Sequence, residues 1–224
     1  MPEFMANPSN ASETSFLIPY YRSLPAYAEF VEINQKISML HPDLLAILYH
    51  LAGNTMGGIL EIGPYIGGST VAMSKGITNF SGSGSIVSIE KGGCHDHAQY
   101  GSKDIVADLR RNLTEWGADK NTRVIVGDSR NSEIIAQVKS MLSGKGLGLF
   151  FIDADGLIDQ DFAAYGDLIE PGTYVVVDDY FTSGAWPAHE KALTTKRTLD
   201  GLERDGKVEC LGVYGWGTWV GRMK

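Results

Sequence analysis

The stretch Gly58-Ile-Leu-Glu-Ile-Gly-Pro-Tyr-Ile-Gly-Gly-Ser69 decides the fold of this chain. It joins a short apolar run, which predicts a buried strand, to a glycine-rich turn and then to the start of a helix. Similar apolar runs follow along the chain, and patterns with helical spacing separate them. Continuous runs of this kind are typical of parallel strands that are buried on both faces. The alternation therefore predicts an α/β fold with a Rossmann-like, doubly wound sheet.

Seven strands are predicted, five in the alternating part of the chain and two at its end. The five strands lie at 58–63, 85–90, 122–127, 147–153 and 173–178, and the helices at about 69–78, 103–116, 132–142, 160–169 and 187–204. The last two apolar runs, 208–214 and 217–222, are too close together to have a helix between them. They predict an antiparallel hairpin at the end of a mostly parallel sheet. We expect Asp159 or Asp161 to be the N-cap of the helix over 160–169.

The N-terminal quarter of the chain has a different pattern. Residues 5–15 are small and polar, and Glu3-Phe4 before a second Met indicates a cloning scar at 1–4, so that 1–15 together predict a disordered tail. Residues 16–57 predict an N-terminal helical cap, whose aromatic side chains either pack in the core or form a lid over a substrate. Residues 58–224 then form the main part of what we expect to be one domain.

The composition narrows the classes of partner. The chain has 224 residues, with 19 Lys and Arg against 27 Asp and Glu, and its net charge is −8. This acidity counts against nucleic acid as the partner, because binding a phosphate backbone needs clustered basic residues. The two cysteines have no metal-type spacing, and no apolar run reaches the roughly 18 residues of a membrane helix. Without a basic and apolar leader, the sequence predicts a cytoplasmic protein with no membrane partner.

Polar residues follow the predicted strands, where open α/β sheets bind their ligands. Gly63 and Gly67 allow the backbone to approach a ligand, but their Gly-x-x-x-Gly spacing differs from the Gly-x-Gly-x-x-Gly of dinucleotide folds. Glu90 ends the second strand, a position from which a carboxylate accepts hydrogen bonds from ribose hydroxyls. Asp128 and Ser129 follow the third strand and offer short polar groups for an adenine edge. The glycine spacing therefore counts against NAD, and an NAD(P) oxidoreductase stays open as a poorer alternative.

Four carboxylates follow the fourth and fifth strands: Asp153, Asp155, Asp178 and Asp179. Neighbouring negative charges repel, and a bound Mg²⁺, Ca²⁺ or Mn²⁺ would neutralise them, since such ions prefer carboxylate oxygens. The alternative is that some of these residues are helix caps or acids that face water.

In combination these motifs resemble those of class I S-adenosylmethionine-dependent methyltransferases. The first motif has the form Glu-x-Gly-x-Tyr-x-Gly-x-Ser over 61–69, as in the catechol and caffeoyl-coenzyme A O-methyltransferases. The similarity continues through 87–90, 126–129, 151–153 and 177–179, in the right order. The Asp-x-Asp and Asp-Asp-Tyr pair also resembles metal-dependent sugar O-methyltransferases of antibiotic pathways. The resemblance implies a methyl transfer to the hydroxyl of a small molecule, and a homodimer as a family-level expectation.

The resemblance also implies cofactors and site residues. The cofactor would be S-adenosyl-L-methionine, together with Mg²⁺ or another divalent cation. The cofactor-binding positions would be Glu61, Gly63, Tyr65, Gly67, Ser69, Glu90, Asp128, Ser129 and Asp153. The metal ligands would be Asp153, Asp178 and Asp179.

The general base is where this sequence departs from the resembled enzymes. They place a Lys or His three positions after the first metal aspartate, and Gly156 stands there in this chain. Asp155 is then the first candidate for the catalytic base, with His189 and Lys191 as further candidates. Two alternatives stay open: a methyltransferase that uses no metal, and a binding module that keeps the cofactor pocket without turnover.

Overall fold

The computed structural model describes residues 13–80, 84–180 and 190–224. Its helices are α1 (Glu13–Arg22), α2 (Tyr27–Ile37), α3 (Pro42–Asn54), α4 (Gly68–Asn79), α5 (Ile105–Glu115), α6 (Ser132–Leu142), α7 (Ile158–Tyr165) and α8 (Glu190–Arg204), with a 3₁₀ turn at Gly166–Leu168. Its strands are β1 (Gly58–Ile62), β2 (Ile86–Glu90), β3 (Thr122–Val126), β4 (Leu147–Ile152), β5 (Tyr174–Val177), β6 (Val208–Tyr214) and β7 (Thr218–Met223).

The seven strands form one sheet in the order β3-β2-β1-β4-β5-β7-β6. Strands β1 to β5 are parallel, and β7 pairs antiparallel with both β5 and β6. The predicted Rossmann-like sheet with a C-terminal antiparallel hairpin is thus confirmed. Chain order reverses between β1 and β4, the point at which open α/β sheets bind ligands beyond the carboxyl ends of their strands.

The sheet is covered on both faces because successive side chains of a strand point in opposite directions. Ile59 of β1 belongs to a core that includes Ile33 of α2 and Leu44 of α3, together with buried residues of α4 and α5. Leu60, the next residue, belongs to the opposite core, which includes Tyr165 of α7 and buried residues of α6 and α8. Burial on both faces explains why the parallel strands are continuous apolar runs.

The N-terminal helices form one packed unit with the sheet. Arg22 of α1 donates two hydrogen bonds to the buried carboxylate of Asp43 in α3, at 2.9 and 2.5 Å, and the Tyr27 hydroxyl of α2 donates a third at 2.6 Å. The three helices are therefore tied together, and their cores are shared with β1 and α4. This favours core packing as the role of the aromatic side chains in this cap.

Two local predictions are wrong. Helix α1 begins at Glu13, inside the predicted tail, and its buried Thr14 hydroxyl forms a hydrogen bond with the Tyr214 hydroxyl of β6 (2.6 Å). Residues 1–12 lie outside the described part. Neither Asp159 nor Asp161 caps α7, which begins at Ile158 and so places both in its first turn.

Among the described helices, none is both long and apolar enough to cross a membrane.

Candidate functional site

A cavity of about 370 Å³ lies beyond the carboxyl ends of β1 to β4. It brings together seven of the residues predicted for the site: Gly63, Tyr65, Glu90, Asp128, Ser129, Asp153 and Asp155. The apolar side chains Met39, Ile62, Ile89 and Ile105 complete much of its wall. An apolar cleft of this size with a few convergent polar groups is typical of a small-molecule site. Of the remaining predicted residues, Glu61, Gly67 and Ser69 do not line it.

The glycine turn after β1 brings the backbone against β4. Gly63 has a φ of 82°, and a Cβ atom at this position would lie 2.0 Å from the carbonyl oxygen of Asp153. The Gly63 N–H donates to the Ile89 carbonyl at 3.0 Å, so this residue joins the ends of three strands. Tyr65 has a φ of 52°, an uncommon backbone conformation for a residue other than glycine. The turn is therefore fixed by close backbone contacts that a larger side chain at Gly63 would break.

Glu61 does not line the cavity, but it holds the start of α4 in place. Its fully buried carboxylate accepts hydrogen bonds from Ser69 (2.5 Å), Thr70 (2.6 Å) and Ser88 (2.5 Å). Burial raises the pKa of this carboxyl, and the three hydroxyl donors partly counter that effect. Glu61 and Ser69 thus bond to each other and link β1, β2 and the first turn of α4.

Glu90 is a buried acceptor in the cavity wall. Its carboxylate accepts the backbone N–H groups of Tyr65 (3.0 Å) and Gly92 (2.8 Å). Burial raises the pKa of Glu90, while these backbone donors lower it. A carboxylate has about four acceptor positions, so capacity remains for hydroxyl groups of a ligand.

An arginine that the sequence analysis did not single out joins two acidic residues of the cavity. Arg130 donates to both Asp155 oxygens, at 3.2 and 2.6 Å, and to Asp128 at 3.2 Å. The backbone N–H and guanidinium of Arg130 lower the pKa of Asp128 to about 2. Burial raises the pKa of Asp155, but the hydrogen bond from Arg130, the Leu157 backbone N–H and the charge of Arg130 together leave it below the ordinary value. Both carboxylates are therefore charged at neutral pH.

Ser129 is held by the α7 helix. Its hydroxyl donates to Asp161 at 2.7 Å, and its carbonyl oxygen accepts the Tyr165 hydroxyl at 2.6 Å. Asp161 is 1% exposed, and its burial raises the pKa of its carboxyl group. The residue expected to cap α7 therefore positions the loop after β3.

Three carboxylates converge at the ends of β4 and β5, beside the cavity. Asp153, Asp178 and Asp179 have oxygens that all lie within 4.8 Å of one another. Burial, followed by the charges of Asp153 and Asp179, raises the pKa of Asp178 to about 7. The Thr218 hydroxyl of β7 donates to Asp178, and Asp179 has a φ of 55°. This set, called the aspartate triad below, includes each residue predicted as a metal ligand.

The aspartate triad already has a cationic partner within the chain. Lys191 in the first turn of α8 places its Nζ 2.5 Å from Asp179 and 3.3 Å from Asp153. Three carboxylate oxygens in this arrangement fit a hard divalent cation chemically. The Lys191 ammonium group contacts two of the same three carboxylates. His189, the second predicted catalytic residue, lies outside the described residues.

Lys191 also explains the glycine at the position where the resembled enzymes have a base. Gly156 has a φ of 85°, and a Cβ atom there would lie 2.8 Å from Lys191 Cγ and 3.0 Å from its backbone. A side chain at 156 would therefore collide with α8. The position of Lys191 shortly after the Asp-Asp pair was the sequence feature that made it a candidate site residue. Arg130 and Thr218 belong to no recognisable motif, and the sequence therefore did not predict their contacts with the site.

Comparisons with known proteins bear on the family and the fold of the chain. Residues 60–180 match a family described as a methyltransferase domain. In the search of curated proteins, no sequence matched the chain.

Similar folds occur among solved structures. The O-methyltransferase TomG of Streptomyces achromogenes, in complex with S-adenosylmethionine, is 20% identical with a TM-score of 0.63, over 95% of this chain and 98% of TomG. A Podospora anserina methyltransferase is 17% identical with a TM-score of 0.64, over 100% and 98% of the two chains. An O-methyltransferase of Bacillus cereus is also 17% identical with a TM-score of 0.61, over 94% and 100%. At these identities the likeness is one of fold.

The family match covers more than half of the chain and includes every strand-end motif from β1 to β5. The chain therefore belongs to the methyltransferase-domain family, and its identification from these motifs as a class I S-adenosylmethionine-dependent methyltransferase is confirmed.

Proposed function

We propose that the chain transfers a methyl group from S-adenosyl-L-methionine to a hydroxyl oxygen of a small molecule, with a divalent cation at the aspartate triad. One observation carries the proposal: Asp153 belongs both to the cavity wall and to the aspartate triad. A ligand in the cavity and a group at the triad would therefore be neighbours. Methyl transfer needs this proximity, because the acceptor oxygen must approach the methyl carbon in line.

The cavity offers distinct groups to the parts of the cofactor. The backbone of the turn at Gly63 would lie against its methionine part, and Glu90 retains acceptor capacity for the two ribose hydroxyls. Asp128 and the loop at Ser129 are fixed by Arg130 and by Asp161, respectively, and would face the adenine. Glu61, Gly67 and Ser69 would act by shaping the turn and the first turn of α4.

The aspartate triad would hold the cation. Asp153, Asp178 and Asp179 supply carboxylate oxygens, and Thr218 orients one of them. When bound, a divalent cation supplies positive charge that favours the deprotonated form of a neighbouring hydroxyl. In the proposed reaction the acceptor oxygen would bond to the methyl carbon as the carbon–sulfur bond breaks, the hydroxyl proton would go to a base, and S-adenosylhomocysteine would leave.

Asp155 is our candidate for that base, with His189 as the second. The Asp155 carboxylate is half exposed, follows a triad residue by two positions and lines the cavity. Its ion pair with Arg130 keeps it ionised, which a base requires, but also lowers its basicity. Asp155→Asn should lower kcat by roughly 10²-fold or more if Asp155 accepts the proton. An unchanged kcat would move the role to His189.

A transfer assay with methyl-labelled S-adenosylmethionine tests the proposal. The protein is incubated with a library of phenols, catechols and sugars, after exhaustive treatment with EDTA and again after addition of Mg²⁺. We expect transfer to a hydroxyl that EDTA abolishes and Mg²⁺ restores. Cofactor binding without transfer to any acceptor would instead indicate a binding module.

One observation favours a second candidate function, a methyltransferase that works without a metal. The Lys191 ammonium already offsets part of the charge of Asp153 and Asp179. Transfer that survives exhaustive chelation, and that Asp178→Ala leaves intact, would establish this second function in place of the first.

A further inference from the structure

The Lys191 ammonium group lies where it would meet a divalent cation at the aspartate triad. Its Nζ is 2.5 Å from an Asp179 oxygen and 3.3 Å from an Asp153 oxygen, two of the three carboxylates that offer ligand atoms. All the triad oxygens concerned lie within 4.8 Å of one another. An ion that used the same oxygens would be in direct contact with the ammonium, and like charges at such distances repel strongly.

The position of Lys191 is fixed by the fold. The side chain is 27% exposed, and Asp153 and Asp179 are 26% and 32% exposed, so the ion pairs are only partly open to water. Gly156 packs directly against Lys191, with room for no Cβ atom. The absence of a side chain at position 156 is therefore what allows α8 to bring Lys191 to the triad.

We infer that Lys191 is a built-in counter-ion of the aspartate triad, which a divalent cation must displace from Asp153 and Asp179 in order to bind. The inference rests on the metal site of the proposed function. It assigns Lys191 a role in setting metal affinity, as a residue that acts through the carboxylates it contacts. The resident charge offsets part of the negative charge of the triad when no metal is bound, at the cost of weaker metal binding.

Calorimetric titration of the metal-free protein with Mg²⁺ tests this role. Lys191→Met removes the competing charge and keeps an apolar stem of similar length, so we expect Mg²⁺ to bind at least about tenfold more tightly than to the unmodified chain. Lys191→Arg keeps the charge and should stay close to the unmodified chain. Lys196→Met is the matched control, because Lys196 lies on the same helix but pairs with Asp200.

The two proposals fail in different ways. Equal Mg²⁺ affinity of the unmodified chain and Lys191→Met would overturn the inference and leave the metal site in place. No Mg²⁺ binding by either protein, with S-adenosylmethionine binding intact, would overturn the metal site and the inference together.

A measurement on the unmodified chain covers the case in which Lys191→Met does not fold. The ¹⁵N-ammonium NMR signal of Lys191, assigned by its loss in Lys191→Arg, should be protected from solvent exchange in EDTA. We expect saturation with Mg²⁺ to shift this signal or broaden it beyond detection while the Lys196 signal stays unchanged. A Lys191 signal that Mg²⁺ saturation leaves in place would overturn displacement.

Discussion

Substitution of Gly63 by alanine tests the backbone contact that shapes the candidate cofactor site. The new Cβ atom would lie 2.0 Å from the Asp153 carbonyl oxygen and 2.8 Å from its carbon, so β1 and β4 must move apart by about 1 Å. A left-handed conformation costs a residue other than glycine about 1–2 kcal/mol, and overpacking adds about 1–3 kcal/mol. The expected loss is about 2–5 kcal/mol of the free energy of unfolding.

Thermal unfolding and cofactor titration measure the effect. For a chain of this size each kcal/mol lowers the Tm by about 2–4 °C, so Gly63→Ala should melt roughly 4–20 °C lower. Gly144→Ala is the control, because Gly144 also has a positive φ, 74°, but has no atom within 4 Å of its Cβ position. Gly144→Ala should lose only the part of the free energy of unfolding that the left-handed conformation costs, and it should bind S-adenosylmethionine normally. Gly63→Ala should bind S-adenosylmethionine more weakly. Equal melting and equal cofactor affinity of the two variants would refute the reasoning.

Three further predictions concern buried or paired charges. Glu61→Gln replaces an acceptor of three hydroxyl hydrogen bonds with a group that also donates, and should lower the free energy of unfolding by about 2–4 kcal/mol in chemical denaturation. Asp178→Asn should change the pH dependence of stability in EDTA: the fold raises the Asp178 pKa to about 7, so the folded chain retains a proton that the unfolded chain loses from about pH 4 upward. The unmodified chain should therefore lose stability relative to Asp178→Asn as the pH rises from 4 to 7. Arg130→Met removes the ion pair that lowers the Asp155 pKa, and should move the acidic limb of the pH–rate profile to higher pH.

Controls make these outcomes decisive. Glu133→Gln, at an exposed position, should change stability by less than about 0.5 kcal/mol, and a similar value for Glu61→Gln would contradict its role. Parallel pH curves for Asp178→Asn and the unmodified chain would show that Asp178 titrates normally. Arg123→Met is the control for Arg130→Met, because Arg123 is exposed and its loss should leave the acidic limb unchanged. If Arg130→Met also leaves the acidic limb unchanged, Asp155 is not the group that accepts the proton.

The sheet could be predicted from the sequence because its signals are local. Each parallel strand is a continuous apolar run, and the carboxyl ends of such strands meet at one edge, which brought Gly63, Glu90, Asp128 and Asp153 to one cavity. The closing hairpin followed from the short distance between the last two runs.

The remaining features depend on contacts between distant parts of the chain. Helix α1 makes a hydrogen bond between Thr14 and Tyr214, 200 positions apart, which no local sequence pattern predicts. Lys191 reaches Asp153 from 38 positions away, and only the packing of α8 on Gly156 fixes that approach. Periodicity places a residue on an element, but it does not specify which side chains from two elements meet.

Calorimetric titration of the unmodified chain with S-adenosyl-L-methionine tests the central claim most directly, since the proposed roles of the cavity residues all depend on this ligand. We expect saturable binding of one cofactor per chain, which Gly63→Ala weakens and Gly144→Ala does not. A folded chain that produces no binding isotherm with S-adenosyl-L-methionine or with S-adenosylhomocysteine would contradict the assignment of the cavity at the ends of β1 to β4.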